Sequence, residues 1–202
     1  MTVEEIVPVD KRRSKIVLEE GLTLVLYRGE LRRFGIETGG ELTQDTYQKI
    51  LNEVLVKRAR ERVICLLKSS DKTEKELRSR LKAGGYPQEA IDEALRFVKN
   101  HRFINDEDYG LRYVEYHSRN KSERQIRYEL QQKGLEKDVI EELLEGHPVD
   151  EEAQIRNYIK KKRINPQEME FSERRKVTAA LGRKGFSFET VNRVLGNFYE
   201  EY

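Results

Sequence analysis

Residues 73–95 read TEKELRSRLKAGGYPQEAIDEAL, and their apolar and glycine positions return at 122–144 as SERQIRYELQQKGLEKDVIEELL and at 173–195 as ERRKVTAALGRKGFSFETVNRVL. Leu77, Leu81, Gly85, Tyr86, Ile91 and Leu95 correspond to Ile126, Leu130, Gly134, Leu135, Ile140 and Leu144, and then to Val177, Leu181, Gly185, Phe186, Val191 and Leu195. A fixed period of this kind marks a repeat architecture, in which each copy is one supersecondary unit.

The physics of one copy is local. Thr73 with Glu76, and Ser122 with Gln125, have the spacing of a capping box, whose side chains satisfy orphan backbone donors at a helix start. Apolar residues four apart, such as Leu77 and Leu81, share one face of the short helix after the cap. The glycine at 85, 134 or 185 then ends that helix in a left-handed conformation, and the apolar residue after it suits a Schellman-type contact. A second helix carries Ile91, Leu95 and Val98, or Ile140, Leu143 and Leu144. A longer helix precedes each pair, at 56–68, 106–117 and 150–162.

The fold expected is therefore mainly α, with three tandem three-helix modules at 57–105, 106–149 and 150–202. Modules this small bury little apolar surface by themselves, so neighbours are expected to stack into an elongated array. Residues 1–56 read differently. Val3, Ile6, Val7 and Val9, then Ile16 to Leu18, then Leu22 to Tyr27 are strand signals broken by Pro8 and Glu19-Glu20-Gly21. They predict a β hairpin or meander, too small to be stable alone and in need of packing against the helical part of the chain. Beyond Gly39-Gly40 a linking helix begins at Thr43, an N-cap residue, with Tyr47, Ile50, Leu51, Val54 and Leu55 at helical spacing.

Composition narrows the function. Charged residues make up 38% of the 202, against roughly 25% in an ordinary soluble domain. The net charge is only +2, so no global field of one sign draws in a polyanion, and any such contact needs a local patch. The longest apolar run, Val63 to Leu67, is far short of the roughly 20 residues of a membrane helix. Acidic residues near the start and a single cysteine point to a cytoplasmic, disulfide-free protein, and Cys65 in its apolar run reads as core. His101, His117 and His147 are too dispersed for a metal pair, and no glycine-rich phosphate loop follows a strand. The carboxylates Asp106, Glu107 and Asp108 read as first-turn residues complementing a helix dipole behind an Asn105 cap. No enzyme, cofactor, metal site, small-molecule substrate or membrane partner is expected, and the chain is read as a monomer.

Basic residues are the better lead. By segment the net charge alternates, −2 over 1–56, +6 over 57–105, −4 over 106–149 and +2 over 150–202. Lys75, Arg124 and Arg175 hold equivalent repeat positions, one turn before Arg78 in the first module and Arg127 in the second. Such a stripe either reads a periodic partner or is a solvated face. The run Lys160, Lys161, Lys162 and Arg163 is a second candidate, though cations at a helix end are also favoured locally. Arg78, Arg80, Lys82 and the 57–62 region leave nonspecific DNA contact by the first module open. Helix-turn-helix reading by all modules is disfavoured, because Asp138, Glu141, Glu142 and Glu145 would repel phosphates in the second.

Asn105-Asp106-Glu107-Asp108-Tyr109, succeeded by Ile126-Arg127-Tyr128-Glu129-Leu130-Gln131-Gln132-Lys133-Gly134-Leu135, resembles the central signature of the bacterial RecX family of regulatory proteins. Thr73-Glu74-Lys75-Glu76-Leu77 with Leu81 and Gly85 is similar to that family's first module, and the likeness spans roughly residues 10 to 198. Gly110 stands where the family usually has Ala, which is expected to loosen its helix. Ser122 stands where Gly is common and supplies a cap, and the third module, with Pro166, matches less well. The resemblance implies a non-enzymatic regulator of recombination and DNA repair that binds RecA and its DNA filament and restrains filament growth, ATPase and strand exchange. Single- or double-stranded DNA is a further partner under this reading. A modular DNA-binding regulator acting without RecA and a generic helical scaffold are the rivals.

Overall fold

The computed structural model describes residues 1–196; the end of the third module, 197–202, lies outside them. Strands β1 (Val3–Pro8), β2 (Arg13–Leu18) and β3 (Thr23–Tyr27) form an antiparallel meander in the order β1-β2-β3. Ile6 pairs with Ile16, and Ile16 with Leu24, while the β1 register slips between Val3 and Glu5. Alternation puts Ser14, Ile16 and Leu18 of β2 on the buried face, with Leu24 and Leu26 of β3 beside them.

Helix α1 (Arg28–Phe34) comes directly after β3, and Gly35 ends it at φ 62°. Helix α2 (Gln44–Ile50) starts as its sequence predicts, with the Thr43 hydroxyl accepting the Thr46 N–H at 3.2 Å. The linking helix does not stop before the first module. A π-helical segment, Leu51–Leu55, carries it straight into α3 (Val56–Ser69). The wider π turn lets Leu51, Val54 and Leu55 all stay buried across the join.

The three copies of the repeat pattern form α4 (Glu74–Ala83) with α5 (Gln88–Asn100), α7 (Glu123–Lys133) with α8 (Lys137–Gly146), and α10 (Phe171–Arg183) with α11 (Phe188–Leu195). Their preceding helices are α3, α6 (Asp106–His117) and α9 (Glu151–Lys162). Gly85, Gly134 and Gly185 hold φ of 77°, 98° and 93°, the left-handed region glycine favours. The Thr73 box is complete. At Ser122 only half of it forms, because the Gln125 side chain turns instead to Glu129 at 3.2 Å.

The chain divides into two compact units, Met1–Asn105 and one that begins at Asp106. In the first, the meander and the helices share one core, from Ile16, Leu24 and Leu26 through Ile50, Leu55 and Ala59 to Leu77, Leu81, Ile91 and Leu95. The meander thereby gains the apolar cover it could not supply itself. In the second unit, Val114, Ile126, Leu130, Leu135, Ile140 and Leu144 form one cluster, and Ile155, Ile159, Met169, Val177, Leu181, Phe186, Val191 and Leu195 form another.

Two sequence expectations change here. Cys65 is exposed, not core. In α3 the buried side is Val56, Ala59 and Val63, and a residue two beyond Val63 is rotated by about 200° to the opposite face. Gly110 is buried and brings α6 close to its neighbours. A Cβ there would stand 2.6 Å from both Leu135 Cδ2 and Leu143 Cδ1, so close packing accompanies any loss of helix propensity. Among the described residues no helix is long and apolar enough to cross a membrane.

Candidate partner-binding surface

The basic residues singled out by the repeat divide into two kinds. Lys75, Arg124 and Arg175 are exposed at equivalent places on α4, α7 and α10. Arg80 and Lys82 on α4 are exposed as well. Arg78 and Arg127 are half-buried and committed to their own modules.

Arg78 bonds Glu74 one turn earlier at 3.0 Å and Asp92 on α5 at 2.5 Å. Lys99 joins from the end of α5, 2.7 Å from Glu74. Arg127 repeats the arrangement 49 residues on, with Nη2 2.8 Å from Glu123, and with Nε and Nη2 3.0 and 2.9 Å from the two oxygens of Glu141 on α8. Planar forked pairing of this kind is what a guanidinium does best. Arg78 holds the Asp92 carboxyl below its ordinary range, Arg127 does the same for Glu141, and both arginines are pushed up in turn. These arginines clamp the two short helices of a module together. The signal was present in the sequence, since Glu74, Arg78 and Asp92 recur as Glu123, Arg127 and Glu141, but it links positions on two helices and escapes a count along one.

In the third module the same positions hold Arg174, Thr178 and Asn192, and no fork can form. Arg174 is 7% exposed and turns inward to the carbonyls of Leu195, at 3.2 Å, and Gly196. Around Thr178 and Asn192 there is instead an open cleft of about 350 Å³ flanked by Phe171 and Phe188, which are 62% and 61% exposed. The Arg175 guanidinium stands 6.0 Å from the Phe171 ring centre, within reach of its face. Exposed phenylalanines at these places were not anticipated, because helical spacing alone assigns such residues to a core.

Lys160, Lys161 and Lys162 close α9 in its last turn, and Arg163 caps it at φ 53°. All four are exposed. Sequence reasoning missed Arg13, which the fold gathers with Arg58 and Arg62 of the 57–62 region beside Arg80 in one cleft.

The acidic face of the second module is equally plain. Asp138, Glu142 and Glu145 are exposed on α8, where a DNA-reading helix would need cations.

Three models of one family match the chain, RecX first three-helix domain over residues 59–97, second over 105–144 and third over 150–195. A regulatory protein RecX from Caldanaerobacter subterraneus subsp. tengcongensis is 35% identical over 164 residues, 80% of this chain and 81% of its own. The chain belongs to the RecX family. A regulatory protein RecX from Clostridium botulinum strain Alaska E43 is 28% identical over 199 residues, covering 96% of this chain and 94% of that one. A crystal structure of a regulatory protein RecX superposes with a TM-score of 0.60 at 23% identity, covering 96% of this chain and 98% of its own. A RecX from Lactobacillus salivarius gives 0.56 at 18% identity, covering 70% and 94%. At those identities the two structures speak for the fold: a mainly helical RecX architecture with a three-stranded antiparallel sheet at its N-terminal end.

Proposed function

We propose that this RecX-family chain regulates homologous recombination and DNA repair without chemistry of its own, by binding RecA on its DNA filament and restraining filament growth, ATP turnover and strand exchange. Family membership carries this reading. The repeat supports it, because Lys75, Arg124 and Arg175 offer one exposed cation per module at equivalent positions, a pattern suited to a periodic acidic or phosphate-bearing partner. Arg80, Lys82 and the run Lys160, Lys161, Lys162 and Arg163 extend the contact surface. Arg78 and Arg127 serve it indirectly, by fixing the helices that display the stripe. We read 57–105, 106–149 and 150–202 as the units that meet the partner.

The decisive experiment adds the purified protein to RecA on single-stranded DNA. ATP turnover and strand exchange are expected to fall at amounts up to one chain per RecA, with no nucleotide hydrolysis or DNA cleavage by the chain itself. Unchanged turnover and exchange together with tight binding to one duplex sequence would replace this reading with that of a RecA-independent DNA regulator.

A further inference from the structure

Around one cleft the third copy of the repeat departs from the other two in a concerted way. Asp71 and Asn120 give way to Phe171, Arg78 and Arg127 to Thr178, Gln88 and Lys137 to Phe188, and Asp92 and Glu141 to Asn192. Charge leaves the groove, and two large apolar side chains enter it. Helix α10 also begins three residues earlier in its copy than α4 and α7 do in theirs, and Phe171 stands on the added turn.

The replacements do not repack the module. Phe171 and Phe188 are 62% and 61% exposed, and the core of this copy, from Ile155 to Leu195, closes without them. Large apolar side chains gathered on a surface and left uncovered mark a contact with another molecule. Phe171, Arg175, Thr178 and Ala179 follow the i, i+4, i+7, i+8 spacing of one helix face, and Phe188 and Asn192 join them from α11 around about 350 Å³ of open space. The rim is cationic. Helix α10 carries Arg174, Arg175, Lys176 and Arg183 against one acid, Glu173. Arg174 is committed to the Leu195 and Gly196 carbonyls, whereas Arg175 is exposed, with its guanidinium 6.0 Å from the Phe171 ring centre.

We propose that this cleft docks a short acidic segment of a protein partner, with an apolar side chain of the segment entering between Phe171 and Phe188 and a neighbouring carboxylate pairing with Arg175. An apolar anchor in a groove fixes such a segment, and a guanidinium at the edge selects the carboxylate. A nucleic-acid strand fits less well, because it needs cations for successive phosphates and Arg175 is the one exposed cation of the described lining. A second copy of the chain also fits less well, since an isologous contact would set the cationic α10 against itself. The test contains no RecA and leaves Arg175 of the stripe in place, so its outcome is independent of the filament reading.

The assay is fluorescence anisotropy on the full chain with two fluorescein-labelled heptapeptides, one of six glutamates around a central phenylalanine and one with alanine at the centre. Their equal charge makes the ratio of the two affinities a measure of the anchor alone. The phenylalanine peptide should bind about tenfold or more tighter. Phe171→Ala/Phe188→Ala should bring the ratio within about twofold and leave the unfolding curve in place, since both side chains are exposed. Thr178→Arg/Asn192→Glu gives the third copy the pairing that Arg127 makes with Glu141, at no change in net charge. It should fill the cleft and abolish the ratio likewise, while the melting temperature holds or rises. Equal binding of the two peptides by the wild-type chain, or a ratio kept in either folded variant, would overturn the proposal. Loss of the ratio in saturating oligothymidylate would overturn it in favour of a nucleic acid, and a wild-type dimer that Phe171→Ala/Phe188→Ala dissolves would do so in favour of a second copy.

Discussion

The Ser122 hydroxyl serves two partners, one of them 62 residues along the chain: it accepts the Gln125 N–H at 3.2 Å, capping α7, and donates to the Lys184 carbonyl at 2.8 Å. The serine thus joins the second repeat copy to the glycine turn of the third. Losing a cap costs about 1 kcal/mol, and leaving the partly buried Lys184 carbonyl without its donor adds up to a similar amount. Ser122→Ala is expected to lower the stability of the second unit by about 1–2 kcal/mol in urea denaturation. Gly185→Ala should cost at least as much, because its Cβ would stand 2.4 Å from Ser122 Oγ at a φ of 93°. A stability change below the error of the titration in both variants would show that the contact is incidental.

Arg124 and Arg127 lie three residues apart on α7 and should behave oppositely. Arg127→Ala removes the clamp on Glu123 and Glu141 and is expected to lower the melting temperature by about 4 °C, whereas Arg124→Ala should change it little. The sign with pH comes from Glu141, which Arg127 holds below its ordinary value of 4.5. A lowered carboxylate contributes stability above the unfolded value and loses it as pH falls through the folded one. The gap between wild type and Arg127→Ala should therefore be full at neutral pH and shrink below pH 4.5. A gap that persists at pH 3 would point to packing and not to charge.

How far the molecule is legible from sequence depends on the range of the interaction. Caps, apolar spacing and terminal glycines act within one turn, so the helix pairs and the Gly85, Gly134 and Gly185 turns can be read directly. Cys65 misleads because a short apolar run has no phase of its own; the phase comes from Ala59 and Val63 packing on the core. The π segment at Leu51–Leu55 is also hidden, since a helical spacing pattern tolerates one extra residue. Side-chain destinations are least legible. Arg78 and Arg80 look alike in the sequence, yet one is spent on Asp92 and the other lines the cleft beside Arg58 and Arg62. Arg13 and Arg62 become neighbours of the same cleft only once the meander covers the first module.

Replacing Lys75, Arg124 and Arg175 together by Ala isolates the stripe from the clamps. The three side chains are exposed, and substitutions at such sites usually change stability by less than about 0.5 kcal/mol each. Binding to RecA filaments is expected to weaken while the unfolding curve stays in place. Leu81, Leu130 and Leu181 are fully buried, and truncating any of them to Ala should cost about 2–5 kcal/mol. Those variants should lose structure and binding together. Wild-type filament binding by the folded three-site variant would reduce the stripe to a solvated face and shift attention to Lys160, Lys161, Lys162 and Arg163.

Glu151 provides a test of opposite sign to Glu141. Its carboxylate accepts the Glu123 N–H at 3.0 Å from a half-buried position at the start of α9. Burial pushes the carboxyl above its ordinary 4.5, the Glu123 charge adds to the rise, and the N–H bond only partly offsets it. A carboxyl raised on folding binds its proton more tightly in the native state, so its charge costs stability above the folded value, and the cost vanishes as pH falls below 4.5. Glu151→Gln keeps an oxygen for the Glu123 N–H and removes the charge. The helix dipole still has Glu152 in the first turn and the Asp150 cap, whose carboxylate accepts the Ala153 N–H at 2.8 Å. The variant is therefore expected to melt higher than wild type at pH 7 and at the same temperature near pH 3.5, checked by paired thermal scans. A lower melting temperature for Glu151→Gln at pH 7 would mean that the carboxylate's bond to Glu123 outweighs the burial of its charge.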